Sequence, residues 1–209
     1  MGRHKVYIIL MLIAAVYTSC RQVQGTEQFF DEGRMEGNVY INDTIGWKME
    51  IPATWKLSHR ITQKVKDEFS SWLDSMDVQH PSLSSYVQLL SIEKDRLNIF
   101  RSNYDKKKGE DVNERMLRET MQTYCELLPY LFPPPVQVIY CSPVEKKRIR
   151  GKTFLYLSYE CYLPAPLDKK LYGMAYMGVV NNYVLEVTIN YTDEKNKDEI
   201  MNAWLNSKF

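Results

Sequence analysis

The pair Asn181-Asn182 constrains this chain more than any other feature. On either side run alternating apolar residues, from Tyr172 to Val180 and from Tyr183 to Tyr191. Asn tolerates the positive φ that a two-residue type I′ turn demands at both positions, so the pair predicts a tight β-hairpin. In that register Val180 faces Tyr183, Gly178 faces Leu185, Tyr176 faces Val187, Met174 faces Ile189 and Tyr172 faces Tyr191. Side chains alternate with period two along a strand, so all of these lie on one face. The hairpin closes a longer run, 136–191, rich in Tyr, Val, Leu and Ile and broken at Arg150-Gly151 and Pro164-Ala165-Pro166. That run is the expected centre of the sheet.

The other face of the hairpin carries Leu171, Ala175, Met177, Val179 and Val184 together with Glu186, Thr188 and Asn190. A solvated face usually alternates apolar with clearly polar residues. This one is apolar near the turn and polar farther away. A helix is expected over the Met177, Val179 and Val184 end. Left uncovered, these three would form an apolar face for a partner.

The chain begins with basic Arg3, His4 and Lys5, then the apolar run Val6 to Val16. That is about half of the ~20 residues a membrane-crossing helix needs, and it has the length of a signal peptide's apolar core. Tyr17-Thr18-Ser19-Cys20 follows, before polar Arg21-Gln22. Small residues directly before a Cys resemble a bacterial lipoprotein box of the looser Bacteroidetes-like kind, with Tyr17 where Leu is usual. The resemblance implies lipidation of Cys20, at about 0.8 kcal/mol of membrane affinity per buried methylene. The expected organisation is a signal peptide over 1–19, a lipidated tether over 20–38 and one domain over 39–209. The tether is polar and holds Gly25, Gly33 and Gly37, with Phe29-Phe30 its only bulky pair.

Within the domain, Val39-Tyr40-Ile41 and Trp47 to Ile51 predict a hairpin whose loop contains Gly46, with Pro52 ending the second strand. Trp55-Lys56-Leu57 continues as a short strand. Val65, Phe69, Trp72 and Met76 fall on one helical face. Gln88 to Glu93 and Arg96 to Asn103 predict strands around Lys94-Asp95. Asp111 and Glu114 have capping-box spacing, opening a helix that carries Leu117, Met121, Tyr124 and Leu128 and stops near Pro129. Phe132 to Pro135 predicts an extended connector. Thr192 is the expected N-cap of a last helix, whose apolar stripe is Ile200, Met201, Trp204 and Leu205.

The run Gly46-Trp47-x-Met49-x-Ile51-Pro52-x-x-Trp55 resembles the opening signature of PsbP-like domains, and the order of elements downstream is similar. The resemblance implies an α+β fold: a central antiparallel sheet with helices packed on both faces, an αβα sandwich. It implies no shared catalytic residues.

Chemistry is sparsely signalled. Net charge is +1, so nothing points to nucleic acid. The basic clusters Lys106-Lys107-Lys108 and Lys146-Lys147-Arg148 are expected in turns. His59 and His80 lack partners at metal-ligand spacing, and no nucleophile sits in a recognised context. Neither a metal, a cofactor nor a catalytic residue is assigned. Glu160 and Glu186 are lone acids in apolar strands, either outward-facing or buried with shifted pKa; alternation with Thr188 and Asn190 favours the outward position for Glu186. With Cys20 lipidated, Cys125, Cys141 and Cys161 remain, an odd number. A three-residue loop centred on Gly151 would pair Cys141 with Cys161, whereas a two-residue turn would separate them. The alternative is separately buried thiols.

The expected function is a lipid-anchored, non-catalytic envelope protein facing the periplasm. It would bind the membrane through Cys20 and serve as a binding or assembly module for an envelope protein. The alternative is a periplasmic small-molecule-binding protein or hydrolase using a pocket between sheet and helix.

Overall fold

The computed structural model describes residues 29–58, 67, 71, 86–108, 112–132 and 135–209. The segments expected as signal peptide and lipidation site, with Cys20, lie outside these residues. So do His59, His80 and the helical face Val65, Phe69, Trp72 and Met76, although Asp67 and Ser71 are helical.

Strands β1 (Arg34–Glu36), β2 (Val39–Asn42) and β3 (Trp47–Glu50) form a three-stranded antiparallel sheet. Arg34–Glu36, expected within the tether, therefore already belongs to the fold. A second sheet of eight strands holds β4 (Lys56–Leu57), β5 (Tyr86–Glu93), β6 (Ile99–Lys108), β7 (Gln137–Cys141), β8 (Glu145–Ile149), β9 (Lys152–Leu163), β10 (Lys169–Val180) and β11 (Tyr183–Tyr191). Its order is β4-β5-β6-β11-β10-β9-β7, and β8 extends the β7 edge along β9. Helices α1 (Glu114–Leu131) and α2 (Glu194–Leu205) complete the described elements.

The Asn181-Asn182 hairpin has the register that alternation dictates, from Val180↔Tyr183 to Tyr172↔Tyr191. Both turn residues have positive φ, 47° and 67°. The face built by this hairpin packs against Tyr40, Trp47 and Met49 of the small sheet and Ile200 and Trp204 of α2. Trp47 and Trp204 are fully buried, with ring centroids 6.1 Å apart. On the opposite face Leu117, Met121 and Leu128 of α1 cover Leu155, Leu157, Ala175, Met177 and Val184.

The expected α+β sandwich with helices on both faces is thus corrected. Strands hold 49% of the described residues, and one face is roofed mainly by a second β-sheet, with α2 beside it. Alternation at Trp47, Met49 and Ile51 marks a strand, but it carries no information about which sheet that strand joins.

Local chemistry moved several boundaries. Asn113 caps α1 by accepting from Met116 N at 3.0 Å, and Asp193 caps α2 by accepting from Asn196 N at 2.9 Å, in place of Thr192. Helix α1 continues past Pro129 to Leu131. A proline there forfeits only one bond in the last turn, and Leu128, fully buried, holds that turn down. Lys106–Lys108 and Lys146–Arg148 lie in β6 and β8 rather than in turns. On β8 they line a free sheet edge, where exposed charge opposes pairing with another chain.

Candidate functional site

The cysteines are settled by register. Arg150 and Gly151 form a two-residue turn, both with positive φ, and Ile149 pairs with Lys152. Farther along, Cys141 lies opposite Tyr159 while Cys161 lies opposite Val138. The Cys141–Cys161 bridge is corrected: Cys141 is bonded to Cys125 of α1, with Cα atoms 6.1 Å apart. Cys161 is a buried thiol, pushed up to about 12 by desolvation, and so inert at neutral pH.

Met177 and Val184 are buried and Val179 half-buried, all packed in the α1-covered cluster. They present no open apolar face. Glu186 is half-buried on the same side, opposite Asn103 and Met177.

Glu160 leads elsewhere. It belongs to the face roofed by the small sheet, at the margin that the roof leaves open. Its register row runs across four strands: Tyr140 on β7, Glu160 on β9, Tyr172 on β10 and Tyr191 on β11. Tyr172 stacks on Tyr191 with centroids 5.4 Å apart and planes 17° apart. Four residues along β9, about 13 Å at normal strand rise, a second row holds Tyr156 and Tyr176, with centroids 5.0 Å apart. Between the rows lie Ser142 and Ser158, where Ser158 N donates to Ser142 Oγ at 2.9 Å. Tyr140 is 50% exposed, and Tyr156, Tyr162 and Tyr172 are half-buried.

Charges on this surface are internally matched. Lys170 Nζ donates to Glu160 Oε2 at 3.0 Å, Lys147 pairs with Glu145 and sits 5.2 Å from the Tyr156 ring centre, and Lys197 pairs with Glu194. Tyr162 donates to the Asp168 carboxylate. Burial pushes the Tyr176 and Tyr191 phenols up, which keeps them as neutral donors. The result is an aromatic, hydroxyl-bearing strip of surface with little net charge, called the tyrosine trough below.

Two other places bear on function. A cleft of about 410 Å³ lies between β3 and α2. At its wall Glu199 accepts from Thr54 Oγ1 (2.7 Å), Lys94 Nζ (2.8 Å) and Trp55 Nε1 (3.2 Å). With so many donors already engaged, that carboxylate serves as a tie between segments. The second place is Arg101 on β6, whose Nε is enclosed without a hydrogen-bond partner. Nearby, the Tyr159 ring crosses β10 above Gly173 and its hydroxyl donates to Asn190 Oδ1 at 2.6 Å. A Cβ at Gly173 would meet that ring at 2.0 Å, so only glycine fits beneath it.

Neither Arg101 nor the tyrosine trough was singled out by sequence. The trough had a signal: counting outward from the Asn181-Asn182 and Arg150-Gly151 turns places Tyr156, Tyr172, Tyr176 and Tyr191 on one face. Among the described residues no group of His, Cys, Asp and Glu is arranged for a metal ion, and no helix is long and apolar enough to cross a membrane. No known family model matches the chain, and no curated protein matches it.

Proposed function

We propose that this chain is a lipid-anchored, non-catalytic binding module of a bacterial envelope, held at the membrane through Cys20 and docking an envelope protein on its tyrosine trough. The observation that carries this reading is the open margin around Tyr140, Glu160, Tyr172 and Tyr156. Tyrosine offers a large, rigid contact area at small entropic cost, and serines between such rings add adaptable hydrogen bonding, as in antibody paratopes. Aromatic enrichment is also what marks the core of a protein interface. The Cys125–Cys141 disulfide supports an oxidising compartment. The Gly46–Trp55 resemblance to PsbP-like domains points the same way, because it implies no catalytic residues.

The test is crosslinking from native membranes. Wild-type protein should capture a discrete partner, and Tyr140→Ser combined with Tyr172→Ser should reduce capture at least about tenfold. Tyr130→Ser, which alters an exposed aromatic on α1, should not. Equal capture by all three proteins would remove the trough from consideration. Cys20→Ala should lose fatty-acid labelling; an unlabelled wild type would discard the anchor.

A further inference from the structure

A sheet edge presents a row of main-chain donors and acceptors that another strand can pair, and native proteins close or charge such rows. Among the described residues, most edges here are treated in that way. Strand β3 is closed at Lys48, which exchanges two main-chain bonds of 2.9 Å with Lys208. Strand β1 is three residues long, and two of them are the charged Arg34 and Glu36. Strand β4 has only two residues, and beside it Ser58 N donates to Ser91 O and Asp31 N to Gln88 O along β5, each at 2.8 Å. Strand β8 carries charges in succession from Glu145 to Arg148.

Strand β7 is the exception. Its five residues, Gln137-Val138-Ile139-Tyr140-Cys141, include no charge, and Val, Ile and Tyr favour strands. Among the described residues it pairs with β9 alone, and no main-chain bond reaches it from any other segment. In a regular strand, residues three apart point to opposite faces. The irregularity between Val138 and Tyr140 adds one residue, so Val138 and Cys141 both pack into the α1-covered cluster. Ile139 and Tyr140 are left as neighbours 53% and 50% exposed. The Cys125–Cys141 bond pins one end of the strand to α1. The edge is thus uncharged, held in place, and bears two large side chains in the open.

We propose that β7 takes up an extended, uncharged segment of the partner protein as an added strand of the large sheet. This rests on the reading of the chain as a protein-docking module and names what the partner offers. Unpaired main-chain groups at strand spacing are matched by another extended backbone, which supplies affinity while alternate side chains supply specificity. An unpaired charge set against Ile139 and Tyr140 would be desolvated without compensation, so the segment is uncharged there. The charges of β8 end the receptive stretch, which limits the segment to about the length of β7. A second copy fits poorly, because a twofold axis would set one bulge, with its unpaired residue, against another. Tyr140 also begins the row Tyr140, Glu160, Tyr172 and Tyr191. The added strand therefore extends the tyrosine trough by one row position.

The test uses the full-length protein in its native membranes, with a benzophenone amino acid in place of Ile139 as the probe. Irradiation should join it to a different protein, and peptide mapping should place the junction in an uncharged, extended segment. In the purified wild-type complex, amides of 137–141 should exchange at least about tenfold more slowly than in the free protein. Side-chain docking in the trough would not move that readout. Ile139→Lys charges the edge and leaves every trough tyrosine in place, and should reduce capture at least about tenfold. Ile139→Thr, an uncharged strand former, should capture like the wild type. Strand addition is overturned if Ile139→Lys captures as well as wild type, or if the β7 amides exchange alike in free and bound protein. It is also overturned if the junction falls in a helix or a charged segment, or if the product is two copies of this chain. Should Ile139→Lys melt below wild type, the amide comparison decides, since it uses the unaltered protein. Loss of capture in the Tyr140→Ser, Tyr172→Ser protein but not in Ile139→Lys would remove strand addition and keep the trough. No capture by any of these proteins would remove both.

Discussion

The two faces of the large sheet are built by different means. The face beneath the small sheet is an aromatic network: Trp47, Phe100, Phe154, Tyr176 and Trp204 touch one another with centroids 5.4–6.3 Å apart. The face beneath α1 is mainly aliphatic, roofed among the described residues by that one helix, and joined to it by the Cys125–Cys141 bond. Interlocked large rings hold the first face through many simultaneous contacts. The second depends on keeping one helix in place. The difference teaches where each face is vulnerable: packing on one side, covalent closure on the other.

Breaking the aromatic network should have the largest effect. Trp204→Ala removes a fully buried indole that contacts both sheets and should cost about 3–5 kcal/mol by urea denaturation. A midpoint equal to wild type would mean the network adds nothing beyond filling space. Opening the disulfide should come next. The bond spans a sequence separation of 16 residues, and loop-closure entropy then gives about 3 kcal/mol. Cys125→Ser should lose that amount, with amide exchange rising first in α1 while β2 and β3 stay protected. Uniform loss of protection would show the two faces to be one cooperative unit.

The smallest effect concerns the tie between the roof and the sheet. Lys94 foremost, then Thr54 and Trp55, hold the Glu199 carboxyl down to about 2, below its ordinary 4.5. A depressed folded pKa stabilises the protein above the unfolded value and loses that contribution as pH falls through the folded one. The stability gap between wild type and Lys94→Met should therefore be constant above about pH 5 and close as pH approaches about 2. A gap independent of pH would assign Lys94 to packing alone.

Much of the large sheet's centre was legible in the sequence because local rules determine it. Asn181-Asn182 fixes a turn, the turn fixes a register, and period two then assigns each neighbour a face. Trp47 and Trp204 are buried, as their apolar stripes required, and so is Trp55, which follows the strand-ending Pro52. Long-range choices were not legible. Nothing local tells β3 to join β2 and β1 instead of the large sheet. Cys141 could not be matched to Cys125 without knowing how α1 crosses β7. The bulge at Ile139, which lies between the paired residues Val138 and Tyr140, also shifts the cysteines' register. Arg101 was hidden for a different reason. A charged residue in a strand normally faces solvent, and only the fold reveals that its Nε is enclosed.

The strand order has a consequence for how the chain divides. All large-sheet strands that precede α1 lie on one side, as β4-β5-β6, and all that follow it lie on the other, as β11-β10-β9-β7. The two groups meet along a single seam, β6 against β11, where Phe100 pairs with Ile189 and Ser102 with Val187. Each group pairs within itself, and apart from β4 on β5 its ladders join segments near in sequence, so the entropy of long-range closure falls chiefly on that seam. A fragment ending at Lys108 and another starting at Val112 would each retain every other ladder of the large sheet. The molecule is therefore two complementary pieces whose reassembly needs one ladder to zip and the indoles of Trp47 and Trp204 to meet across it.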